Sequence, residues 1–127
     1  MEIVGLGSQI LECVRVRKLI DRHGEAFLRE VYTEQETRAC QNRRQATEHF
    51  TALWAAKEAV FRSLGTTWRR GMFWTDIEVI CENGGSPRVE VHGATRERKE
   101  SLGAGSFLLT IAHCRAFATA TCLALRG

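Results

Sequence analysis

Long apolar runs are missing from this sequence. No stretch approaches the roughly 18 apolar residues that suggest a membrane span. The start, Met1-Glu2-Ile3-Val4-Gly5, has no basic segment, no apolar segment of signal-peptide type and no small-residue cleavage site. A cytoplasmic protein with no membrane contact is therefore expected. Paired cysteine motifs are missing as well: Cys13, Cys40, Cys81, Cys114 and Cys122 are odd in number, form no CxxC pair and have no histidine at zinc-ligand spacing. They read as reduced thiols, mostly small core residues. Proline is nearly absent, Pro87 being alone, and no linker, internal repeat or low-complexity segment interrupts the chain.

What is present is the balance of a globular protein. With 127 residues, 44% hydrophobic and 26% charged, one compact domain over residues 1–127 is expected. A chain this short buries a modest core, so self-association would help to stabilise it. The formal charge of +3 favours an acidic protein, a phosphorylated ligand or nucleic acid without choosing among them.

Ile3 to Leu6 predicts a short strand entering a tight turn at Gly5-Leu6-Gly7-Ser8. From Glu12 to His23, Val16, Leu19, Ile20 and His23 follow helical spacing, and Gly24 stops the helix. Arg15, Lys18 and Arg22 make another face of it basic. Thr33-Glu34-Gln35-Glu36 fits a capping box that opens a second helix. The longest helix runs from about Ala46 to Leu64, with Phe50, Leu53, Trp54, Phe61 and Leu64 on its apolar face and Gly65 beyond it.

The period then changes to two: Phe73, Thr75, Ile77, Val79 and Cys81 alternate as in a strand, and Asn83-Gly84-Gly85 turns it. Val89 and Val91 mark another strand, Thr95 to Leu102 a polar helix, and Phe107 to His113 with Ala116 to Leu125 a hairpin. Helices gathered early and strands late predict an α+β domain, its antiparallel sheet covered by helices on one side.

Gly5-Leu6-Gly7 is not a dinucleotide fingerprint, because Ile10 stands where a third glycine is required. Glu58 and Arg62, four apart on the long helix, would ordinarily be a surface ion pair worth about 0.3–0.5 kcal/mol. Their surroundings change that reading. Gly5-Leu6-Gly7-Ser8-Gln9-Ile10-Leu11-Glu12, Ala55-Ala56-Lys57-Glu58-Ala59 ending at Leu64-Gly65-Thr66, Asp76-Ile77-Glu78-Val79, Gly85-Ser86-Pro87 and Thr110-Ile111-Ala112-His113 stand in one order over nearly the whole chain. In order and spacing they resemble holo-acyl-carrier-protein synthases.

The resemblance implies a phosphopantetheinyl-transferase-like domain assembled as a trimer, with coenzyme A bound between subunits. It implies transfer of the phosphopantetheine arm of coenzyme A to a serine of an acyl carrier protein, in fatty acid biosynthesis, with release of adenosine 3′,5′-bisphosphate. Attack on the pyrophosphate builds negative charge, so such chemistry wants a hard cation, fixed positive side chains and a proton acceptor. Magnesium suits it, and the resemblance makes Glu58 a metal ligand and catalytic residue, Gln9 its companion at the metal, and Arg62 a catalytic cation. It places Lys57, Arg62, Gly65, Pro87 and His113 at coenzyme A, and Arg15, Lys18 and Arg22 at the carrier protein.

Three positions depart from the family pattern. Gln9 replaces a metal-binding aspartate, which keeps an oxygen ligand and loses a negative charge. Arg62 replaces a lysine, exchanging a compact ammonium for a planar fork suited to phosphate. Leu53 replaces an arginine, so part of the phosphate grip must come from elsewhere, with Arg43, Arg44 and Arg69 as candidates. The alternative is a catalytically degenerate module that binds a carrier protein or coenzyme A without transfer. Ranked last is a nucleic-acid-binding protein using Arg15, Lys18, Arg43, Arg44, Arg69 and Arg70 with Trp68 and Trp74, since no recognised binding motif accompanies them.

Overall fold

The computed structural model describes residues 1–67, 71–82 and 86–127. The elements in chain order are β1 (Ile3–Glu12), α1 (Cys13–His23), α2 (Glu25–Val31), α3 (Glu34–Gln41), α4 (Ala46–Ser63), β2 (Ile77–Ile80), β3 (Arg88–Val91), α5 (Gly93–Ser101), β4 (Ala104–His113) and β5 (Phe117–Arg126). β1, β5 and β4 form one antiparallel sheet in that spatial order, and β2 and β3 pair as a separate antiparallel ribbon. This is the expected α+β class with an antiparallel sheet covered by helices.

The sheet packs on α4 because of how small its inner face is. On β5, Ala118, Ala120, Cys122 and Ala124 alternate inward and are buried, while Phe117, Thr119 and Thr121 alternate outward and are exposed. Small inward residues let α4 lie close to the strands, and α4 is buried along most of its length, with Phe50, Ala55, Ala56, Val60 and Phe61 in the core. Val16 of α1, Phe27, Leu28 and Val31 of α2, Tyr32 after it, and Ile77 and Val79 of β2 complete that core. The Tyr32 hydroxyl donates to the Phe50 carbonyl at 2.7 Å, fixing the α2–α3 corner on α4.

The turn expected at Gly5-Leu6-Gly7-Ser8 is not there; β1 runs straight through it. The glycines serve close approach instead. A Cβ on Gly5 would lie 1.7 Å from the Ser63 carbonyl oxygen, and one on Gly7 would lie 2.2 Å from that of Ala59. The strand expected from Phe73 begins four residues later, because Trp74–Asp76 form a 3-10 turn that the Asp76 carboxylate holds by accepting from the Phe73 N–H at 3.2 Å. His23, expected on the inner face of α1, is exposed. α2 was not expected at all. The Asn83-Gly84-Gly85 turn lies outside the described residues.

Candidate active site

α4 carries the charged residues of the site, and β1 supplies the wall beside them. Gly5, Gly7 and Gln9 share one face of β1, the face that the Gly5 and Gly7 contacts direct at α4. Glu58 and Arg62 stand one turn apart on α4, with Arg62 Nη2 at 3.8 Å from Glu58 Oε1. Arg62 Nη1 also donates to the Ser8 carbonyl at 3.4 Å, so the guanidinium bridges α4 and the strand next to Gln9. The Glu58 side chain is 19% exposed and that of Arg62 45%, so both reach solvent from a supported position. Gln9 is half-buried and its Oε1 accepts from the Ile10 N–H at 3.0 Å.

These donors suit one kind of cation. No group of three or more histidine, cysteine, aspartate or glutamate side chains that could hold a metal occurs among the described residues. One carboxylate with an amide oxygen is too little to enclose a metal, but magnesium is commonly held by one or two carboxylates together with substrate phosphates and water. The residues fit an ion that arrives with a phosphorylated substrate.

Lys57 does not join Glu58 at the surface. Its side chain is fully buried, its ammonium lies 2.7 Å from Glu36 Oε1, and it donates to the Trp74 carbonyl at 3.1 Å and to the Ile77 carbonyl. Three oxygens use its three protons, so the ammonium expected at coenzyme A is engaged inside the protein. Burial pushes the Lys57 ammonium below its ordinary pKa, and the Glu36 carboxylate opposes that shift.

Pro87 and His113 meet in a cavity of roughly 540 Å³. Arg43, His49 and Leu53 line it with them. His113 Nδ1 lies 2.5 Å from Glu48 Oε1, and the His49 ring meets the His113 ring edge-on at 4.8 Å between centroids. Burial, then the neighbouring His113 and Arg43, lower the His49 pKa, with Glu48 acting the other way. Cys40 opens on the same cavity, and burial with the nearby Glu36 pushes its thiol up to about 12. Neither Glu58 nor Arg62 lines this cavity, so the expected site residues fall at two places on one chain.

Gly65 follows α4 with φ 72°, and Arg98 closes that end by donating from Nε to the Leu64 carbonyl at 3.0 Å. Gly65 is therefore a helix stop away from the cavity. Arg15, Lys18 and Arg22 are exposed along α1, and Lys18 and Arg22 border a shallow depression with Leu19 and Asp21. Of the candidate substitutes for an arginine at Leu53, Arg43 is at the cavity, Arg44 lies in a different cleft with Arg17 and Arg115, and Arg69 is outside the described residues, as are Trp68 and Arg70. Glu48 and His49 were missed by sequence reasoning. Nothing in their local spacing announces them, since they come to His113 from 65 and 64 positions away.

Known proteins resemble this chain over nearly its whole length. The model of the 4′-phosphopantetheinyl transferase superfamily matches residues 5–122. A holo-[acyl-carrier-protein] synthase from Rhodopirellula baltica is 40% identical over 120 residues, which are 94% of this chain and 95% of that protein. A holo-[acyl-carrier-protein] synthase from Neisseria meningitidis superposes with a TM-score of 0.88 over 98% of this chain and all of that one, at 22% identity. One from Bacillus anthracis, solved in complex with CoA (3′,5′-ADP), superposes with a TM-score of 0.80 over 98% of each chain at 27% identity.

Proposed function

The chain belongs to the 4′-phosphopantetheinyl transferase superfamily, and from that premise we propose that it is a holo-acyl-carrier-protein synthase, moving the phosphopantetheine arm of coenzyme A to a serine of apo acyl carrier protein. The observation that carries the reading is the pairing of Glu58 with Arg62 beside the glycine face of β1. A carboxylate and a guanidinium held together at a half-open surface suit a reaction that neutralises phosphoryl charge and removes a hydroxyl proton.

The carrier serine oxygen attacks the phosphorus that bears the pantetheine arm. The bond from that phosphorus to the bridging pyrophosphate oxygen breaks, and adenosine 3′,5′-bisphosphate leaves. Arg62 faces the developing charge with two N–H groups, and Glu58 takes up the serine proton. Glu58 and Gln9 would hold magnesium, which when bound supplies positive charge at the pyrophosphate oxygens. Pro87, His113 and Arg43 receive the nucleotide end of coenzyme A in the cavity they line, and Arg15, Lys18 and Arg22 receive acidic residues of the carrier.

The separation of Glu58 from the His113 cavity supports a homotrimer in which one copy completes the site of the next. The outer face of the sheet supports it too: Leu6 and Leu108 flank Leu123 across the strands, and Leu6, Ile10, Leu108 and Phe117 are exposed there. No helix among the described residues is long and apolar enough to cross a membrane. We place the enzyme in the cytoplasm, serving fatty acid biosynthesis.

One observation favours the alternative of a binding module without turnover: Gln9 brings no charge to the metal and already accepts from the Ile10 N–H. Intact-mass spectrometry of an apo carrier protein incubated with this protein, coenzyme A and magnesium decides between them. Addition of phosphopantetheine that a chelator abolishes is expected. A folded sample that modifies none of several carriers, yet still binds them or coenzyme A, is the degenerate module.

A further inference from the structure

Glu36 is 2% exposed and Lys57 fully buried, so this ion pair stands wholly inside the protein. Each partner makes three polar contacts. Glu36 Oε1 accepts from the Thr33 N–H at 2.9 Å and from Lys57 Nζ at 2.7 Å, while Oε2 accepts from the Val79 N–H at 2.7 Å. Lys57 also donates to the Trp74 and Ile77 carbonyls. Two side chains thus tie together the start of α3, the middle of α4, the Trp74–Asp76 turn and β2.

The place of this knot along α4 matters more than its presence. Successive residues of an α-helix are set about 100° apart around the axis. Lys57 is therefore fixed on one side of Glu58, and Ala59 on the other, where its carbonyl lies against Gly7 of β1. Glu58 projects between two restraints that prevent α4 from rolling. Glu36 meanwhile lines the cavity that holds Pro87 and His113. Replacing a buried pair by apolar groups is often neutral for stability, so a role in folding alone does not require charge here.

Resting on the transferase reading above, we propose that Glu36 is a positioning residue: by clamping Lys57 it sets the rotation of α4, and so the direction in which Glu58 meets magnesium and the coenzyme A pyrophosphate. The Glu36 carboxylate is spent on Thr33, Lys57 and Val79. Its effect reaches the reaction through Lys57 and one turn of helix.

The test compares the wild type with Glu36→Gln, with the double variant Glu36→Gln/Lys57→Met, and with Lys57→Arg, which keeps the charge but spreads its donors over a planar fork. Thermal midpoint, kcat, KM for coenzyme A and the affinity for magnesium in the presence of coenzyme A, measured by calorimetry without carrier protein, are read for each. Glu36→Gln is expected to lower the midpoint by leaving a buried ammonium without its counter-charge. The double variant is expected to recover most of that midpoint while its kcat stays at least tenfold down and its magnesium affinity falls by a similar factor, with KM for coenzyme A within about twofold. Lys57→Arg is expected to lose kcat and magnesium affinity in the same way. A double variant or Lys57→Arg with wild-type kcat and magnesium affinity overturns the proposal, as does a loss confined to KM. If the wild type itself modifies no carrier, the transferase reading fails, while the clamp is still judged by magnesium affinity across the variants.

Discussion

Gly7 and Ala59 touch through backbone: a methyl group on Gly7 would lie 2.2 Å from the Ala59 carbonyl oxygen and 2.5 Å from the Ser63 amide nitrogen. Neither is the flexible end of a side chain, so neither can yield without moving α4. Gly7→Ala is expected to destabilise the fold by about 2 kcal/mol or more, at the upper end for one extra carbon in a packed core. It should also lower transfer in the molecules that remain folded, since the movement it forces carries Glu58 with it. Urea unfolding alongside a transfer assay checks both parts. An unchanged midpoint would mean that the strand and helix are not held at this distance in solution.

Glu58→Ala separates chemistry from folding. The Glu58–Arg62 pair is partly exposed and contributes little to stability, within about 0.5 kcal/mol. Transfer should nevertheless fall by a hundredfold or more, the scale expected when one charged partner of a phosphoryl transition state is removed. A folded Glu58→Ala protein with the wild-type rate would remove Glu58 from the site.

The elements with a clear period or cap were legible in the sequence. The Thr33 capping box appears as read, with the Thr33 hydroxyl accepting from the Glu36 N–H at 3.2 Å, and α4 closes at the Gly65 stop. What the sequence hid was tertiary. Gly5 and Gly7 carried the right signal, a backbone position intolerant of Cβ, but a turn and a close helix contact demand the same residue. Lys57 sits next to Glu58, which reaches solvent, and only the arrival of Glu36, Trp74 and Ile77 from other elements shows that Lys57 points in. Glu36 was visible as a capping residue and invisible as the counter-ion, because helix capping engages one carboxylate oxygen and leaves the rest of its partners to the fold.

Gln9→Asp tests the metal end from the other side. It adds a negative charge beside the strand where Arg62 reaches the Ser8 carbonyl, and carboxylates bind magnesium better than amides do. The magnesium concentration that gives half-maximal transfer should drop several-fold, with little change in KM for the carrier protein. A magnesium dependence that does not move would show that residue 9 is not a ligand.

The thermal midpoint should decline as pH falls from 7 through the lowered pKa of His49. Burial and the neighbouring His113 and Arg43 hold that pKa below its ordinary 6.5 in the folded protein. The unfolded chain therefore binds the proton first as pH falls, so the stability contributed by a neutral His49 is present above 6.5 and is lost below it. His49→Gln removes the titrating ring and should flatten this part of the profile. It should do so without reversing the slope, since carboxylates elsewhere still titrate at lower pH. Scanning calorimetry of both proteins between pH 5 and pH 8 checks this expectation. A variant with the same slope as the wild type would assign the acid sensitivity to other groups, and would argue that the cavity holding His49 and His113 is wetter in solution than its packed rings suggest.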